Sequence, residues 1–410
     1  MRKLAGIATA VAVGLGMAAC GTEDEGGGSG SNPDEIVIGS IHPLTGPLAG
    51  TGQLMDQGAQ MAVKDINADG GIEALGGADL VLSSGDSKGE AETGQSEAQR
   101  LIDDGAVALV GTYQSDVTLN VASVAERSRV PFVIDVAVDD QILEQGYQNT
   151  FRIQPDATSM GQDGADRLVE IAEDSGEKVD SVAYIHEDSS FGTSVFEAFE
   201  KQAESKGISV DKEVTYTATN FSDATTQVRE AAAANPDVIV GTGYYPDQLL
   251  VAKAVKALSP DIQSLYGVAN GAFDDENFPK DAAAAGDDVL SANYHYNATS
   301  DRTQEIRERF EQEYGAPMQT ASVLSYQAVE VIAQALEEGG SADPGELRNA
   351  ISEVSVDDPL LAFDGPIEFD ETGQNTNATV VVMQVQDGSV EQVAPGEFET
   401  TKASYPAYGG

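Results

Sequence analysis

The side chains that most often carry out chemistry are few and widely separated in this chain. Its three histidines, His42, His186 and His295, show no HExxH or similar spacing, so we do not expect a histidine metal site. Cys20 is the only cysteine, which excludes a disulfide framework and a cysteine-based zinc site within the chain. No GxxxxGK[ST] loop occurs, and no GxGxxG motif follows a strand. The sequence therefore predicts neither a metal nor a cofactor.

One short motif could support nucleophilic catalysis. Residues 85–89 match GxSxG, and Ser87 lies in a loop between a predicted strand and a predicted helix, roughly the context of a nucleophile elbow. The loop is long for a sharp elbow, the pattern arises easily in a chain with 43 glycines, and a triad would need His186 or His295 to reach Ser87. Carboxylates are too abundant for any pair of them to stand out. We interpret the motif as a glycine-rich loop and expect no enzyme.

The charge balance excludes several classes of partner. The 410 residues contain 22 Lys and Arg against 69 Asp and Glu, a formal net charge of −47. Such a surface repels the phosphates of nucleic acids and anionic lipids, so we expect no nucleic-acid partner. The acidity suits high external salt, which screens the self-repulsion, but an ordinary acidic extracytoplasmic protein fits equally well.

The first twenty residues have the pattern of a targeting signal. Arg2 and Lys3 precede an uncharged, mostly apolar run over residues 4–19, which is short for a membrane span and typical of a signal peptide. The run ends in small residues before Cys20 and resembles a bacterial lipobox, although a cleavable signal with an accidental cysteine remains the alternative. Residues 20–33 are rich in Gly, Ser and acids and predict a flexible tether. We expect an extracytoplasmic protein, at the cell surface or in the periplasm, whose only membrane contact is the lipid on Cys20.

The elements that must position any site alternate between strands and helices. Continuous apolar strand runs separated by amphipathic helices indicate parallel sheets covered on both faces. The same pattern restarts near residue 156, which predicts an α/β protein with two doubly wound units. The predicted strands lie at 36–41, 80–82, 107–110, 131–134, 182–185, 208–214, 237–241, 264–267 and 289–294.

The last third of the chain holds three more predicted helices and a hairpin. Asp343 is expected to cap the shortest helix, with Pro344 at its first position. Residues 363–369 are expected to pair with residues 380–385 as a β-hairpin. The helices are predicted over residues 302–314, 320–336 and 344–351.

The order of several short segments resembles a known family. It is similar to the type I periplasmic binding proteins, in the leucine/isoleucine/valine-binding branch that serves ABC importers. Each segment alone is weakly specific, but their order and spacing over some 350 residues is strong. The segments are IGSIHPLTGP (38–47), GAQMAVKDINADGGI (58–72), VGT (110–112) with Ser115, VPFV (130–133), FR (151–152), FG (191–192), GTGYYPD (241–247) and GPIEFD (365–370).

The resemblance implies a type I periplasmic binding protein fold, in which a multi-crossover hinge joins two lobes that close on a ligand. The N-terminal lobe would comprise residues 34–155 plus 289–361. The C-terminal lobe would comprise residues 156–288 plus 362–400, followed by a tail over residues 401–410.

The first-lobe candidates for ligand binding lie in two loops that follow strands. Ser115 and its neighbour Gln114 stand between a strand and a helix, where a hydroxyl and free N–H groups can hold a carboxylate. The resemblance implies this role for Ser115, although a helix N-cap is the plain alternative. It also implies that backbone groups of Val136, Ala137 and Val138 contact the ligand.

The second-lobe candidates are mainly aromatic. The resemblance implies ligand contacts from Phe191, Tyr244 and the loop that contains Asn270. In the family that loop carries a glutamate that pairs with the ligand ammonium, whereas this chain has Ala269 and Asn270 and no acid until Asp274. Two possibilities stay open, namely that another acid reaches the ligand or that the ligand is not an α-amino acid. The acids that could reach a ligand ammonium are Asp116, Asp139 and Asp247. The first-lobe loops also offer His42 and Asp86 as candidates for ligand contact.

The partners follow from the same resemblance. We expect a small-molecule ligand, most simply a branched-chain or related amino acid, and an ABC permease and ATPase complex that receives it from a monomeric binding protein. A ligand-sensing surface protein, or an importer component for an amide or small carboxylate, is the alternative, because the fold does not separate these functions.

Overall fold

The computed structural model describes residues 33–408. The predicted signal peptide, Cys20 and nearly all of the predicted tether lie outside the described residues. Within residues 33–408, no helix combines the length and the apolar character needed to cross a membrane.

The first sheet is parallel throughout. Its elements in chain order are β1 (Glu35–His42), α1 (Ala49–Ala68), β2 (Asp79–Asp86), α2 (Ala91–Asp103), β3 (Ala108–Gly111), α3 (Ser115–Ser128), β4 (Phe132–Ile134), α4 (Gln141–Glu144) and β5 (Thr150–Arg152). The strand order is β2-β1-β3-β4-β5, and β3, β4 and β5 are buried along their whole length. This confirms the prediction of parallel strands covered on both faces.

The second sheet repeats this design with more strands. Its elements continue with α5 (Ala157–Asp174), β6 (Ser181–Glu187), α6 (Ser190–Ser205), β7 (Ser209–Tyr216), α7 (Thr225–Ala232), β8 (Val238–Gly243), α8 (Tyr245–Leu258), β9 (Ser264–Asn270), α9 (Phe278–Ala282) and β10 (Leu290–Asn293). Strands β6 to β10 are parallel to one another where they pair. The chain is therefore an α/β protein with two sheet-centred lobes, as predicted.

The remaining elements complete both lobes. They are α10 (Asp301–Tyr314), α11 (Thr320–Gly339), α12 (Pro344–Glu353), β11 (Val381–Gln386) and β12 (Ser389–Ala394). Helix α11 packs on α1 so closely that a Cβ at Gly58 would lie 2.2 Å from the carbonyl oxygen of Ser322. The side chain of Asp343 accepts from the N–H groups of Gly345 and Glu346 at the start of α12, which confirms the predicted cap.

The structure corrects the expected lobe boundaries. Strand β10, which the sequence analysis assigned to the first lobe, pairs with β9 and β11, so the second sheet has the order β12-β11-β10-β9-β8-β6-β7. Conversely, Phe363 and Ile367, assigned to the second lobe, lie in the core of the first. The chain thus crosses between lobes after Asn293 rather than before residue 289, because a strand's lobe is set by its sheet neighbours and not by its own sequence.

The expected C-terminal hairpin is also wrong in its pairing. Strand β11 pairs with β12, not with residues 363–369. Asp387 and Gly388 join the two strands with φ values of 52° and 83°, the left-handed pair that a tight hairpin turn requires. The Asp-Gly turn signal was present in the sequence, but the apolar residues Phe363, Ile367 and Phe369 also suggested a partner strand.

Candidate functional site

A cavity lies between the two lobes, at the carboxyl ends of both sheets. It holds about 360 Å³ of empty space, open solvent included, and receives residues from the ends of β8, β9 and β10 and from the segments after β3, β4 and β6. Loops at this edge of parallel sheets are the usual place for a ligand. The lining residues of this first chamber are Tyr113, Ser115, Val136, Ala137, Val138, Phe191, Gly243, Tyr244, Ala269, Gly271, Asn293 and Tyr294.

Ser115 presents a helix N-terminus to the first chamber. It is the first residue of α3 and is only 2% exposed. Gly111 makes the preceding turn possible, because its φ is +127° and a Cβ would lie 2.3 Å from the carbonyl oxygen of Ile41. The Ser115 Oγ accepts from the N–H of Asp139 at 3.4 Å, which leaves the hydroxyl proton free to be donated.

The loop after β4 lines the same chamber with Val136, Ala137 and Val138. Two of its carbonyl oxygens already accept hydrogen bonds, because Gln154 donates to Ala137 O at 2.8 Å and Arg152 donates to Val138 O at 2.8 Å. Among the backbone hydrogen bonds of residues 33–408, none uses the N–H groups of Val136, Ala137 or Val138. The loop therefore keeps three N–H donors without a backbone partner, which suits a carboxylate.

Arg152 fixes the position of this loop through hydrogen bonds to its carbonyl oxygens. Its side chain is 2% exposed, and its guanidinium also donates to Asp139 O at 2.9 Å and to Gln374 Oε1 at 2.7 Å. Burial lowers the pKa of the guanidinium, while Asp156 and other nearby carboxylates act in the opposite direction. A cation thus stands directly behind the donor loop.

The second-lobe wall of the first chamber is made of rings. The ring centroids of Phe191 and Tyr244 lie 5.4 Å apart, and Tyr244 lies 5.4 Å from Tyr113 of the first lobe. Burial, followed by the charges of Glu187 and other groups, raises the pKa of Tyr244, so its phenol stays neutral. Rings packed in this way offer apolar contact with little entropic cost.

Hydrogen bonds join the lobes at the rim of the cavity. Ser190 donates to Asp116 Oδ1 at 3.0 Å, and Ser194 donates to Asp139 Oδ1 at 3.2 Å. Together with the contact between Tyr113 and Tyr244, they describe a closed arrangement of the cleft.

The structure brings six of the eight predicted site residues together, namely Ser115, Val136, Ala137, Val138, Phe191 and Tyr244. Asn270 does not line the chamber. Its amide donates to Gly241 O and Gln248 Oε1 and accepts from the N–H groups of Ala272 and Phe273. Asn270 therefore shapes the loop after β9 instead of facing a ligand.

Gln114 also lies outside the lining. It immediately precedes α3, and its carbonyl oxygen accepts from the N–H and the hydroxyl of Thr118. Its side chain reaches away toward Gly89, where a Cβ would lie 2.4 Å from Gln114 Nε2. Gln114 thus contributes to the start of the helix and not to the chamber surface.

The further polar candidates have structural partners. His42 is fully buried, with Nε2 2.8 Å from Asp135 Oδ2. Burial alone would lower the pKa of His42, but the charge and hydrogen bond of Asp135, and then Asp56, raise it to about 9. Asp86 accepts from the N–H groups of Leu44, Thr45 and Lys88 and orders the loop after β1.

Ser87 is not poised for catalysis. It is fully buried, and its Oγ accepts from the N–H of Gly89 at 3.3 Å. His186 bonds Glu213 in the other lobe, and His295 bonds Gln392. Neither ring is placed to take a proton from Ser87.

The lining of the first chamber contains no acidic or basic side chain among the described residues. The three acids considered from the sequence are engaged elsewhere. Asp116 and Asp139 take part in the rim bonds, and Asp247 accepts from the N–H of Tyr244 at 3.2 Å and from the hydroxyl of Tyr216. Burial raises the pKa of Asp247 to about 6.

Of the other six lining residues, Ala269 lies in the second-lobe loop singled out from the sequence, and five were missed by sequence reasoning, namely Tyr113, Gly243, Gly271, Asn293 and Tyr294. Tyr113 stands two positions before Ser115, so the loop could have suggested it. Asn293 and Tyr294 end a strand that was assigned to the wrong lobe, and their convergence needed the sheet order.

Comparison with known proteins agrees with this arrangement. The sequence model of the family described as periplasmic binding protein matches residues 35–389. A protein of Brucella abortus (strain 2308), named Leu/Ile/Val-binding protein homolog 8, is 30% identical over 384 residues, which cover 90% of this chain and 93% of that protein. Homolog 7 of Brucella suis biovar 1 is 29% identical over 91% of this chain and 94% of that protein.

Solved structures share the fold. The leucine binding protein LivK of Thermotoga maritima superposes with a TM-score of 0.75 at 24% identity, covering 88% of this chain and 98% of its own. The LivJ protein of Streptococcus pneumoniae, in complex with isoleucine, superposes with a TM-score of 0.75 at 22% identity, covering 88% of this chain and 100% of its own. A solute binding protein of R. palustris in complex with benzoate superposes with a TM-score of 0.77 at 18% identity, covering 91% of this chain and 97% of its own.

Proposed function

This chain belongs to the periplasmic binding protein family, whose members are solute-binding proteins and not enzymes, and on that premise we propose its ligand and its mode of binding. The protein captures a branched-chain or related amino acid between its lobes and delivers it to an ABC permease and ATPase complex. The observation that carries the proposal is the first chamber, which joins N–H and hydroxyl donors of one lobe to apolar rings of the other.

We assign one end of the ligand to each wall of the first chamber. The ligand carboxylate accepts from the Ser115 hydroxyl and from the free N–H groups of the loop at Val136 to Val138, next to the positive end of α3. The ligand side chain packs against Phe191, Tyr244 and Ala269. Supporting this pose, the Brucella relatives bear the names of Leu/Ile/Val-binding protein homologues.

A small carboxylate without an amine is the second candidate. No acid lines the first chamber among the described residues, and burying an ammonium without a carboxylate partner costs on the order of several kcal/mol. The R. palustris protein that shares the fold was solved with benzoate. An amide or small carboxylate is thus the alternative cargo of the same site.

Thermal-shift and calorimetric titrations separate the two candidates. Leucine, isoleucine and valine are compared with 4-methyl-2-oxopentanoate, which keeps the carboxylate and side chain of leucine but lacks its amine, and with benzoate. Binding of leucine in preference to the keto acid supports the amino-acid assignment. Equal or tighter binding of the keto acid contradicts it and favours the carboxylate.

Ser115→Ala tests the pose. We expect about tenfold weaker binding of leucine, because a hydrogen bond to a charged group is lost. Ser96→Ala is the matched control, since Ser96 is exposed on α2 and outside the chamber. Unchanged affinity in Ser115→Ala would place the carboxylate elsewhere.

The family implies an extracytoplasmic location, and we further infer that lipid on Cys20 anchors the protein. A diacylglyceryl group with N-acylation buries enough CH₂ groups to hold a protein at a membrane. Replacing Cys20 by Ser should release the processed protein from the membrane fraction of the cell. Continued membrane association after signal cleavage would refute the lipid anchor.

A further inference from the structure

A second chamber adjoins the first in the same cleft. It holds about 410 Å³ of empty space, open solvent included, and shares four residues with the first chamber, namely Tyr113, Gly271, Asn293 and Tyr294. Its own residues come from α1, from the start of α11 and from the turn after β9. They are Thr51, Asp274, Asp275, Gln319, Thr320 and Ala321.

Two carboxyl groups form one side of the second chamber. Asp274 is 8% exposed and accepts from Asn293 Nδ2 at 3.0 Å, while Asp275 accepts from the N–H of Asn277 at 2.7 Å. No lysine or arginine of the described chain lines this chamber. Burial raises the pKa of Asp274 to about 8 and that of Asp275 to about 7, so Asp274 is mostly protonated and Asp275 partly protonated near neutral pH.

An unpartnered amide faces these carboxyl groups. Gln319 is 4% exposed, and its Oε1 accepts from the N–H of Glu276 at 2.9 Å. That bond fixes the orientation of the amide, so the free end is the Nε2 group, which is buried without a hydrogen-bond partner. The neighbouring Thr320 Oγ1 is buried and unpartnered as well.

The polar groups of the second chamber require an occupant that donates and accepts. Asp274 and Asp275 offer acceptor oxygens, whereas Gln319 Nε2 is a donor that needs an acceptor. An ammonium group would leave Gln319 Nε2 without an acceptor, and a carboxylate would add a negative charge beside two acids in a chamber that no lysine or arginine of the described residues lines. A primary amide satisfies both, because its NH₂ group donates and its carbonyl oxygen accepts.

We propose that the ligand extends from the first chamber into the second and carries a carboxamide there, with its NH₂ group on Asp274 and Asp275 and its carbonyl oxygen on Gln319. This inference rests on the proposed function, since it assumes that a ligand carboxylate lies at Ser115. Within the proposed range of ligands, it favours a related amino acid or carboxylate with an amide at the far end over the branched-chain amino acids themselves.

Calorimetric titration of the purified mature protein tests the occupant. Norleucine, glutamine and lysine have unbranched side chains that end in a methyl, an amide and an ammonium group, and 4-carbamoylbutanoate is glutamine without its amine. We expect glutamine or 4-carbamoylbutanoate to bind about tenfold tighter than norleucine, through the added hydrogen bonds. Tightest binding by lysine would overturn the proposal in favour of a cation site.

Gln319→Glu provides the matched variant. Glutamate keeps an oxygen for the N–H of Glu276 but replaces the Nε2 donor by a second oxygen, so the preference for the amide should disappear while norleucine binding persists. Gln99→Glu, at an exposed position of α2, controls for the added charge. Circular dichroism melting verifies that both variants fold.

The outcomes distinguish this inference from the proposed function. Equal binding of norleucine and glutamine by the unmodified protein would refute the carboxamide and leave the amino-acid site intact. A preference for glutamine that survives Gln319→Glu would also refute it. Failure of every amino acid and carboxylate to bind would instead refute the proposed function.

Discussion

The two walls of the first chamber are built in different ways. The first-lobe wall consists of Ser115 and backbone N–H groups, and buried side chains such as Arg152 and Gln154 fix it within its own lobe. The second-lobe wall consists mainly of the rings of Phe191 and Tyr244, which provide apolar contact area but no directional hydrogen bonds. Hydrogen bonds weaken steeply when their angle changes, whereas apolar contacts tolerate small shifts.

This difference indicates that the two walls contribute to ligand binding at different stages of closure. A wall whose geometry is already set can hold the ligand carboxylate before the lobes meet. The aromatic wall then adds apolar contact only in the closed arrangement, so a ligand that touches both walls shifts the equilibrium toward closure. In the proposed pose, the first lobe selects the charged group of the ligand, and the second lobe selects the shape of the side chain attached to it.

The largest expected effect comes from removing the support of the polar wall. Arg152→Met leaves the carbonyl oxygen of Asp139 and the side chain of Gln374 without their buried partner. We expect the free energy of unfolding to fall by about 3 kcal/mol, in the range for breaking a buried charged contact. Ligand affinity should fall more than in Ser115→Ala, because the whole donor loop loses its position.

Urea denaturation and calorimetry check this expectation. Arg127→Met is the control, since Arg127 is exposed on α3 and bonds only Ser123 among the described residues. If Arg152→Met binds ligand as the unmodified protein does, the polar wall does not depend on this buried cation.

A smaller effect is expected at the aromatic wall. Tyr244→Ala removes ring contacts with Phe191 and Tyr113 and should weaken ligand binding by about 30-fold, equivalent to about 2 kcal/mol. Tyr244→Phe keeps the ring and should bind within about threefold of the unmodified protein. Small-angle scattering should show that Tyr244→Ala compacts less on ligand addition. Equal losses in the Ala and Phe variants would mean that the phenol hydroxyl, not the ring, contacts the ligand.

The smallest expected effect is the pH dependence of folding stability, which should come mainly from buried acids on the second-lobe side. The acids Asp247, Asp274 and Asp275 near the second-lobe side have raised pKa values of about 6, 8 and 7, because they are buried. An acid with a higher pKa in the folded protein than in the unfolded chain stabilises the fold at low pH. That contribution is lost as the pH rises from about 4, where the unfolded carboxyl ionises, to the folded value.

Melting temperatures between pH 5 and pH 9 test this dependence. Asp274→Asn should reduce the loss of melting temperature over this range by a few degrees, since the amide does not ionise. Asp281→Asn, on the more exposed helix α9, is the control and should retain the full loss. An identical pH profile in Asp274→Asn would show that Asp274 ionises normally in the fold.

Local sequence determined the elements and the loops that carry the site. Continuous apolar runs predicted the buried parallel strands, and Asp343 with Pro344 predicted the start of α12, because caps and periodicity depend on residues only a few positions apart. The loop positions of Ser115, Val136 to Val138 and Tyr244 followed from strand ends and from the family resemblance. These features need no knowledge of distant contacts.

Only the tertiary structure decided which strands pair and where each polar side chain points. Strand β10 joins the second sheet through β9 and β11, and this places Asn293 and Tyr294 in both chambers. Asn270 is the last residue of β9, which runs three residues beyond the predicted strand, and its amide turns inward to the loop after β9. Pairing partners and side-chain directions depend on residues far apart in the chain, and a local pattern leaves several of them equally possible.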